Sequence, residues 1–412
     1  MQVKERIEMA PQPLIQRNRL WIVLILGTLA AIGPIVIDLY LPALPQMSTD
    51  LQTSTSTIQL SLTACLLGLA IGQVIIGPIS DIFGRRIPLN VSLIIFVVAS
   101  FLCAFSPNVF VLVIVRFIQG LAGAGGIVIS RAIARDLYSG PELTKFFSLL
   151  MLVNGCAPVL SPVLGGQLMK MTDWKGIFIA IGIFTMLMLV SAFFGLKETL
   201  PSEQRATGGL KETFLVLSKL FKHRVFMGYV LTQGLTGAGM FAYISASPFV
   251  LQDIYGLTAQ QFSYCFAVNG IGIIIATQTT GRLIGRFREA TLLRFGLALS
   301  LTASSLLFLA ILLQASLAFI LIPLFFVVSC MGIMSTTCTS LAMNTQGKAA
   351  GSASALIGLT MFILGAAVAP LVGIAGNDTA VPMAIVILTC STGANFCYWK
   401  LANRKVKLTS IE

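Results

Sequence analysis

The chain has 412 residues, of which 56% are hydrophobic and only 10% charged. A soluble domain carries about 25% charged residues, so the composition excludes a soluble globular fold and specifies a polytopic membrane protein. The formal charge of +12 is spread over the short segments between apolar runs, which assigns it to membrane topology and not to nucleic acid.

In chain order, residues 1–20 are not expected to form a cleavable leader, because the run that follows is too long and lacks a small-residue cleavage site. A helix needs about 20 apolar residues to cross a bilayer. Runs of that length predict twelve spans, near 20–41, 57–79, 87–106, 109–131, 144–168, 175–196, 225–250, 260–281, 290–313, 316–342, 349–373 and 379–400. Basic residues cluster before span 1, after the even-numbered spans and at the C-terminus. The alternate loops hold only Lys170 and Lys175. That asymmetry predicts cytoplasmic termini. The long connection divides the chain into a six-span bundle at 1–196, a linker at 197–224 and a second bundle at 225–412. Leu210, Phe214, Leu217 and Phe221 recur in the linker at helical spacing and predict an amphipathic surface helix. The eight cysteines fall in apolar runs, show no metal-ligand spacing and read as packing residues. No metal or cofactor is expected.

The most informative segment joins spans 2 and 3: Gly77-Pro78-Ile79-Ser80-Asp81-Ile82-Phe83-Gly84-Arg85-Arg86. Gly77 is expected to allow close helix packing and Gly84 to take positive φ and turn the chain. Asp81 and Arg85 are spaced to pair locally or to reach neighbouring helices. After span 8 a second copy, Gly281-Arg282-Leu283-Ile284-Gly285-Arg286, repeats the pattern without the acid. Such repetition fits two similar bundles rocking around a central cavity.

This segment resembles the loop 2–3 signature of the major facilitator superfamily of secondary transporters. Asp38-Leu39-Tyr40-Leu41-Pro42, Arg116-Phe117-Ile118-Gln119-Gly120, Ala157-Pro158 through Gly165-Gly166 and Lys197-Glu198-Thr199-Leu200-Pro201 make the chain similar to the bicyclomycin-resistance (Bcr/CflA) subfamily of drug:proton antiporters. The resemblance implies an all-α fold of twelve transmembrane helices in two pseudo-symmetric six-helix bundles. It also implies export of small lipophilic drugs against protons across the bacterial inner membrane by a functional monomer, with no enzymatic chemistry. A transporter of one metabolite, such as a purine or siderophore, is the alternative; a receptor or channel is a more distant one.

Embedded charges are costly and therefore functional candidates; two are predicted, Asp38 in span 1 and Arg116 in span 4. Asp38 is the expected proton carrier, its ionisation set by the opposing pulls of desolvation and a nearby arginine. The other reading makes it an acid capping the span where Pro42 breaks the helix. Arg116 is expected to pair with Asp38 or polarise it, as the resemblance implies. The alternative is an arginine satisfying backbone carbonyls or Gln119. Pro158, Pro162, Gly165 and Gly166 are expected to bend and thin span 5, in a region similar to the antiporter signature but with Ser161 where that signature has glycine. Tyr40, Asn154, Gln233, Met240, Phe241, Tyr243 and Asn269 are candidate cavity residues. Asp81, Arg85 and Asp136, with Gly77, Gly84, Arg86 and Arg135, are the expected conformational latch, which the resemblance implies holds the two halves together when the transporter opens outward. Gly120, Gly123, Gly125 and Gly126 lie mid-membrane after no strand, and read as packing glycines and not a nucleotide loop.

Overall fold

In a computed structural model, residues 16–205, 218–345, 350–376 and 378–402 are described. The expected linker helix, built on Leu210, Phe214 and Leu217, lies outside these residues. The first half comprises α1 (Gln16–Ala30), α2 (Ile32–Asp38), α3 (Leu44–Asp50), α4 (Thr55–Phe83), α5 (Arg86–Ala104), α6 (Val109–Leu137), α7 (Gly140–Leu168) and α8 (Trp174–Gly195). The second comprises α9 (Arg224–Phe249), α10 (Ala259–Leu283), α11 (Glu289–Leu312), α12 (Leu317–Asn344), α13 (Ala350–Val368) and α14 (Val381–Cys397). Among the described residues, ten helices are long and apolar enough to cross a membrane, and the bent run from Trp21 to Asp50 makes an eleventh. The 29-residue α7 covers the remaining expected span, near 144–168.

Local chemistry sets the helix starts. Ser54 accepts from the Thr57 N–H, Asn108 from Val111, and Asp173 from Lys175 and Gly176. Thr258 and Gln261 form a reciprocal capping box. Each satisfies amides that have no intrahelical acceptor. His223, which the sequence leaves without a role, caps α9 by accepting from the Phe226 N–H through Nδ1.

The first span bends by 43° between Ala30 and Ile32. Pro34 has no N–H to offer the Ala30 carbonyl, and the ladder breaks there. Pro42 does the same to the carbonyl of Asp38, so the span ends in a 3-10 turn at Leu41–Ala43 before α3 resumes. By contrast, α7 runs unbroken through Pro158 and Pro162.

Large apolar side chains ring the outside, including Phe110 (72% exposed), Ile114 (61%), Leu187 (62%) and Phe194 (81%). Lipid is the solvent that makes such a surface stable. Inside the first half, α4 and α6 cross with their backbones in contact. A Cβ at Gly68 would strike the carbonyl of Phe117, and one at Gly120 the carbonyl of Cys65. Gly123, Gly125 and Gly126 are likewise closed off by Phe96, Ser92 and Ile32. The packing reading of this glycine run therefore holds. Gly77 differs: its nearest neighbour would be Val128 at 3.6 Å, an ordinary contact, so close packing does not require glycine there.

The halves meet along two helix pairs, α4 with α13 and α7 with α10. Gly166 and Gly270 permit the second approach, facing Ser263 and Val159 respectively.

Candidate functional site

The end of α2 places Asp38 deep in the protein, 4% exposed, with no hydrogen-bond partner at Oδ1. One residue on, the Leu39 carbonyl lies against Gly165, where any Cβ would collide with it. Across the boundary between the halves, Asp38 comes within electrostatic reach of the Tyr243 hydroxyl on α9. That hydroxyl accepts from Asn269 Nδ2 at 2.8 Å, and its ring stacks on Phe266 at 5.4 Å. The nearby Ser247 Oγ is also buried without a partner. Two orphaned polar groups beside one tyrosine mark a place where a proton or a ligand atom would be accommodated.

Arg116 is fully buried and does not pair with Asp38. Its NH1 donates to Gln119 Oε1 at 2.6 Å and its NH2 to the Val36 carbonyl at 3.0 Å. The guanidinium lies 4.3 Å from the Tyr40 ring centroid and 5.6 Å from that of Phe178. Val36 O is available because the helix stops before Tyr40 can reach it. Gln119 is oriented in turn by donating to Ser100 Oγ at 2.8 Å. The expected ion pair is thus replaced by a clasp: aromatic faces and carbonyl dipoles stabilise a cation with no ion-paired acid among the described residues.

Tyr40 does not face a cavity. It is fully buried in the first half, beneath Arg116 and 3.4 Å from Ser61 Oγ. Gln233 bridges α9 to α12 through Ser335 and Thr339. Phe241 packs on Phe362 and against Gly365, and Met240 sits beside Ser300 and Met331 inside the second half. The Asn154 side chain lies outside the described residues. Of the candidate cavity residues described, the structure therefore brings Tyr243 within reach of Asp38, and Asn269 through its bond to Tyr243.

Among the described residues, four side-chain hydrogen bonds cross between the halves at the end away from the termini. Ser56 Oγ donates to Pro370 O at 3.1 Å, Gln59 Nε2 to Ser245 O at 3.0 Å, Thr63 Oγ1 to Ala366 O at 3.2 Å and Gln252 Nε2 to Pro42 O at 3.2 Å. The Ala366 carbonyl is left without a helical donor by Pro370, which lacks an N–H. Toward the opposite end the contact is apolar, with Val74 against a cluster containing Phe226, Val230 and Leu356.

The signature loop forms a second centre, wholly within the first half and the start of the linker. The nearly buried Arg85 pairs with Asp81, donates to Asp136 Oδ2 at 2.9 Å through Nε, and to Ser80 Oγ at 2.9 Å. Gly84 has φ +87°, and a Cβ there would meet Glu198 Oε2 at 2.6 Å. Arg86 turns away, donating to the Phe193 carbonyl at 2.9 Å. Arg135 is exposed and makes none of the cluster's contacts among the described residues.

Glu198, from the Lys197–Pro201 segment, holds the loop. Its carboxylate accepts from the backbone N–H groups of Arg85 (2.8 Å), Arg86 (3.1 Å), Thr199 (3.0 Å) and Leu200 (3.0 Å). Partial desolvation works to raise its pKa, but these four donors outweigh it and hold the carboxyl below its usual range. Thr199 Oγ1 adds a bond to Asp136 at 3.0 Å.

Membrane-length helices in two halves, with buried polar groups where the halves meet, are the architecture of a polytopic membrane transporter. The chain belongs to the Major Facilitator Superfamily, whose model matches residues 20–370. It is 42% identical over 95% of its length to an uncharacterised MFS-type transporter, YdgK, of Bacillus subtilis, covering 97% of that protein. It is 30% identical, again over 95% of its length, to a bicyclomycin resistance protein homolog of Haemophilus influenzae, covering 98% of it. Among solved structures, a bacterial homolog of the human lysosomal transporter Spinster, inward-facing and unoccupied, superposes with a TM-score of 0.72 over 95% of this chain and 97% of that one at 15% identity. That likeness establishes the fold.

Proposed function

We propose that this protein exports small lipophilic compounds across the bacterial cytoplasmic membrane in exchange for protons, as a monomer with both termini in the cytoplasm. Asp38 carries the proton. Residues 1–196 and 225–412 move as two bodies about the boundary where it lies, and Tyr243 and Asn269 contribute to the substrate site. The cluster of Asp81, Arg85 and Asp136 steadies the signature loop during the movement. The observation that carries the reading is the buried, unpartnered Asp38 carboxyl facing the opposite half. The name of the Haemophilus relative supports drugs as the cargo, and the basic residues of alternate loops support the orientation.

The energetics suffice. One proton entering across ~100 mV yields about 2.3 kcal/mol, and one pH unit adds about 1.4. The sum sustains a roughly 500-fold gradient of a neutral solute, at tenfold per about 1.36 kcal/mol. The test is flux of a compound panel into or out of proteoliposomes with an imposed pH gradient and an internal pH dye. Wild type is expected to couple compound flux to proton flux, and Asp38→Asn to lose the coupling while remaining folded. Coupled flux that persists in Asp38→Asn removes this residue from the carrier role.

A further inference from the structure

The two halves carry the same turn and treat its arginines in opposite ways. Gly84 and Gly285 both adopt positive φ, +87° and +100°, each between one span and the next. In the first half the positive charge of Arg85 is neutralised by Asp81 and Asp136, Arg86 is bound to a carbonyl, and Glu198 covers the loop amides. In the second half, Arg282, Arg286 and Arg288 are exposed and form no ion pair among the described residues. Their closest acid in sequence, Glu289, accepts from Ser340 on α12.

Exposed aromatic side chains lie in this turn, on the start of α11 and just past the end of α14. Phe287 is 55% exposed, Phe295 59% and Trp399 54%. Arg294, one and a half turns into α11, donates to Tyr398 Oη at 3.0 Å, and its guanidinium lies 5.5 Å from the Trp399 ring. This ties the start of α11 to the end of α14. This end of the second half therefore combines three cations that form no ion pair among the described residues with exposed Phe287 and Phe295 and with Trp399, the last of the type that settles at headgroup depth. A small free anion would use the cations alone and leave the aromatics without purpose. A lipid uses both.

We propose that the turn at 282–288, with the adjoining ends of α11 and α14, is a docking site for an anionic glycerophospholipid of the leaflet on the side of the termini. Its phosphate lies among Arg282, Arg286 and Arg288, and its chains run along Phe295 and Trp399. The site does not depend on what the protein transports.

The experiment titrates the purified full-length protein in neutral detergent with phosphatidylglycerol, phosphatidylcholine or inorganic phosphate. Bound lipid is read by native mass spectrometry and stability by the thermal midpoint. The proposal expects retention of phosphatidylglycerol over phosphatidylcholine, loss of that preference at about 1 M salt, and no comparable effect of phosphate. Each arginine near an anionic surface is worth roughly fivefold in binding, so R282Q/R286Q/R288Q should bind phosphatidylglycerol on the order of 100-fold more weakly. K170Q, on the opposite face, should bind as wild type does. Equal retention of the two lipids by wild type, an unchanged affinity in the triple variant, or equal stabilisation by inorganic phosphate would each overturn the proposal. The wild-type lipid and salt comparisons decide it even where the triple variant does not fold.

Discussion

Arg116→Lys separates two roles that the sequence leaves open. If Arg116 works as a charge near Asp38, a lysine keeps the charge and most of the function. If it works as the clasp seen in the structure, a lysine fails, because a single ammonium on a shorter reach cannot serve both Gln119 Oε1 at 2.6 Å and Val36 O at 3.0 Å. One of these buried acceptors is then orphaned, at about 1–3 kcal/mol. Loss of the flat guanidinium from its place 4.3 Å from the Tyr40 centroid removes up to about 1 kcal/mol more. The total of about 1–4 kcal/mol should lower the thermal midpoint on the order of 5 °C. It should also release the end of α2, and with it the placement of Asp38. Thermal unfolding in detergent, read beside coupled flux in proteoliposomes, gives both quantities. A lysine variant that melts and transports as wild type does would refute the clasp and restore the charge-partner role.

Thr63→Val removes one bond of the seam and orphans the Ala366 carbonyl. The closure at that end should weaken by about 1 kcal/mol, which cysteine-accessibility labelling from the far side of the membrane would read as a roughly fivefold rise in reactivity. Gly68→Val drives a branched side chain into the backbone of α6; it should cost at least 1–3 kcal/mol and sharply reduce folded yield, whereas Gly77→Ala should be tolerated. For Glu198 the pKa is lowered by its four amide donors despite desolvation. Its stabilisation of the loop is therefore present above the unfolded value of about 4.3 and lost as pH falls through the lower folded value. Limited proteolysis after Leu200 should be flat between pH 5 and 8, rise on further acidification, and lose that acid dependence in Glu198→Gln.

The spans were legible because lipid demands long apolar helices and little else, so run length alone locates them. The bend at Ala31 was written just as plainly in Pro34, but within a continuous apolar run a proline does not announce how far the axis turns. The glycines of α6 were readable as contacts, though only coordinates show that Gly120 rests on the backbone of α4 while Gly123, Gly125 and Gly126 meet Phe96, Ser92 and Ile32. Arg116 and Glu198 were harder for a shared reason. Each binds backbone atoms, the Val36 carbonyl in one case and the amides of Arg85 and Arg86 in the other, and a backbone group leaves no letter in the sequence. Tyr40 illustrates the converse: its polar tip suggests a cavity, while its ring is needed beneath a buried cation.

The glycine crossing of α4 over α6 bears on how such a molecule changes shape. Where main chain rests on main chain there are no side-chain rotamers to exchange, so that joint cannot slide by small steps. Movement is left to the surfaces where hydroxyls and amides reach across to carbonyls, which are contacts that can be broken singly and remade with water. The stiffness of one bundle thus directs the displacement to its border with the other, and the carboxyl of Asp38 sits on that border.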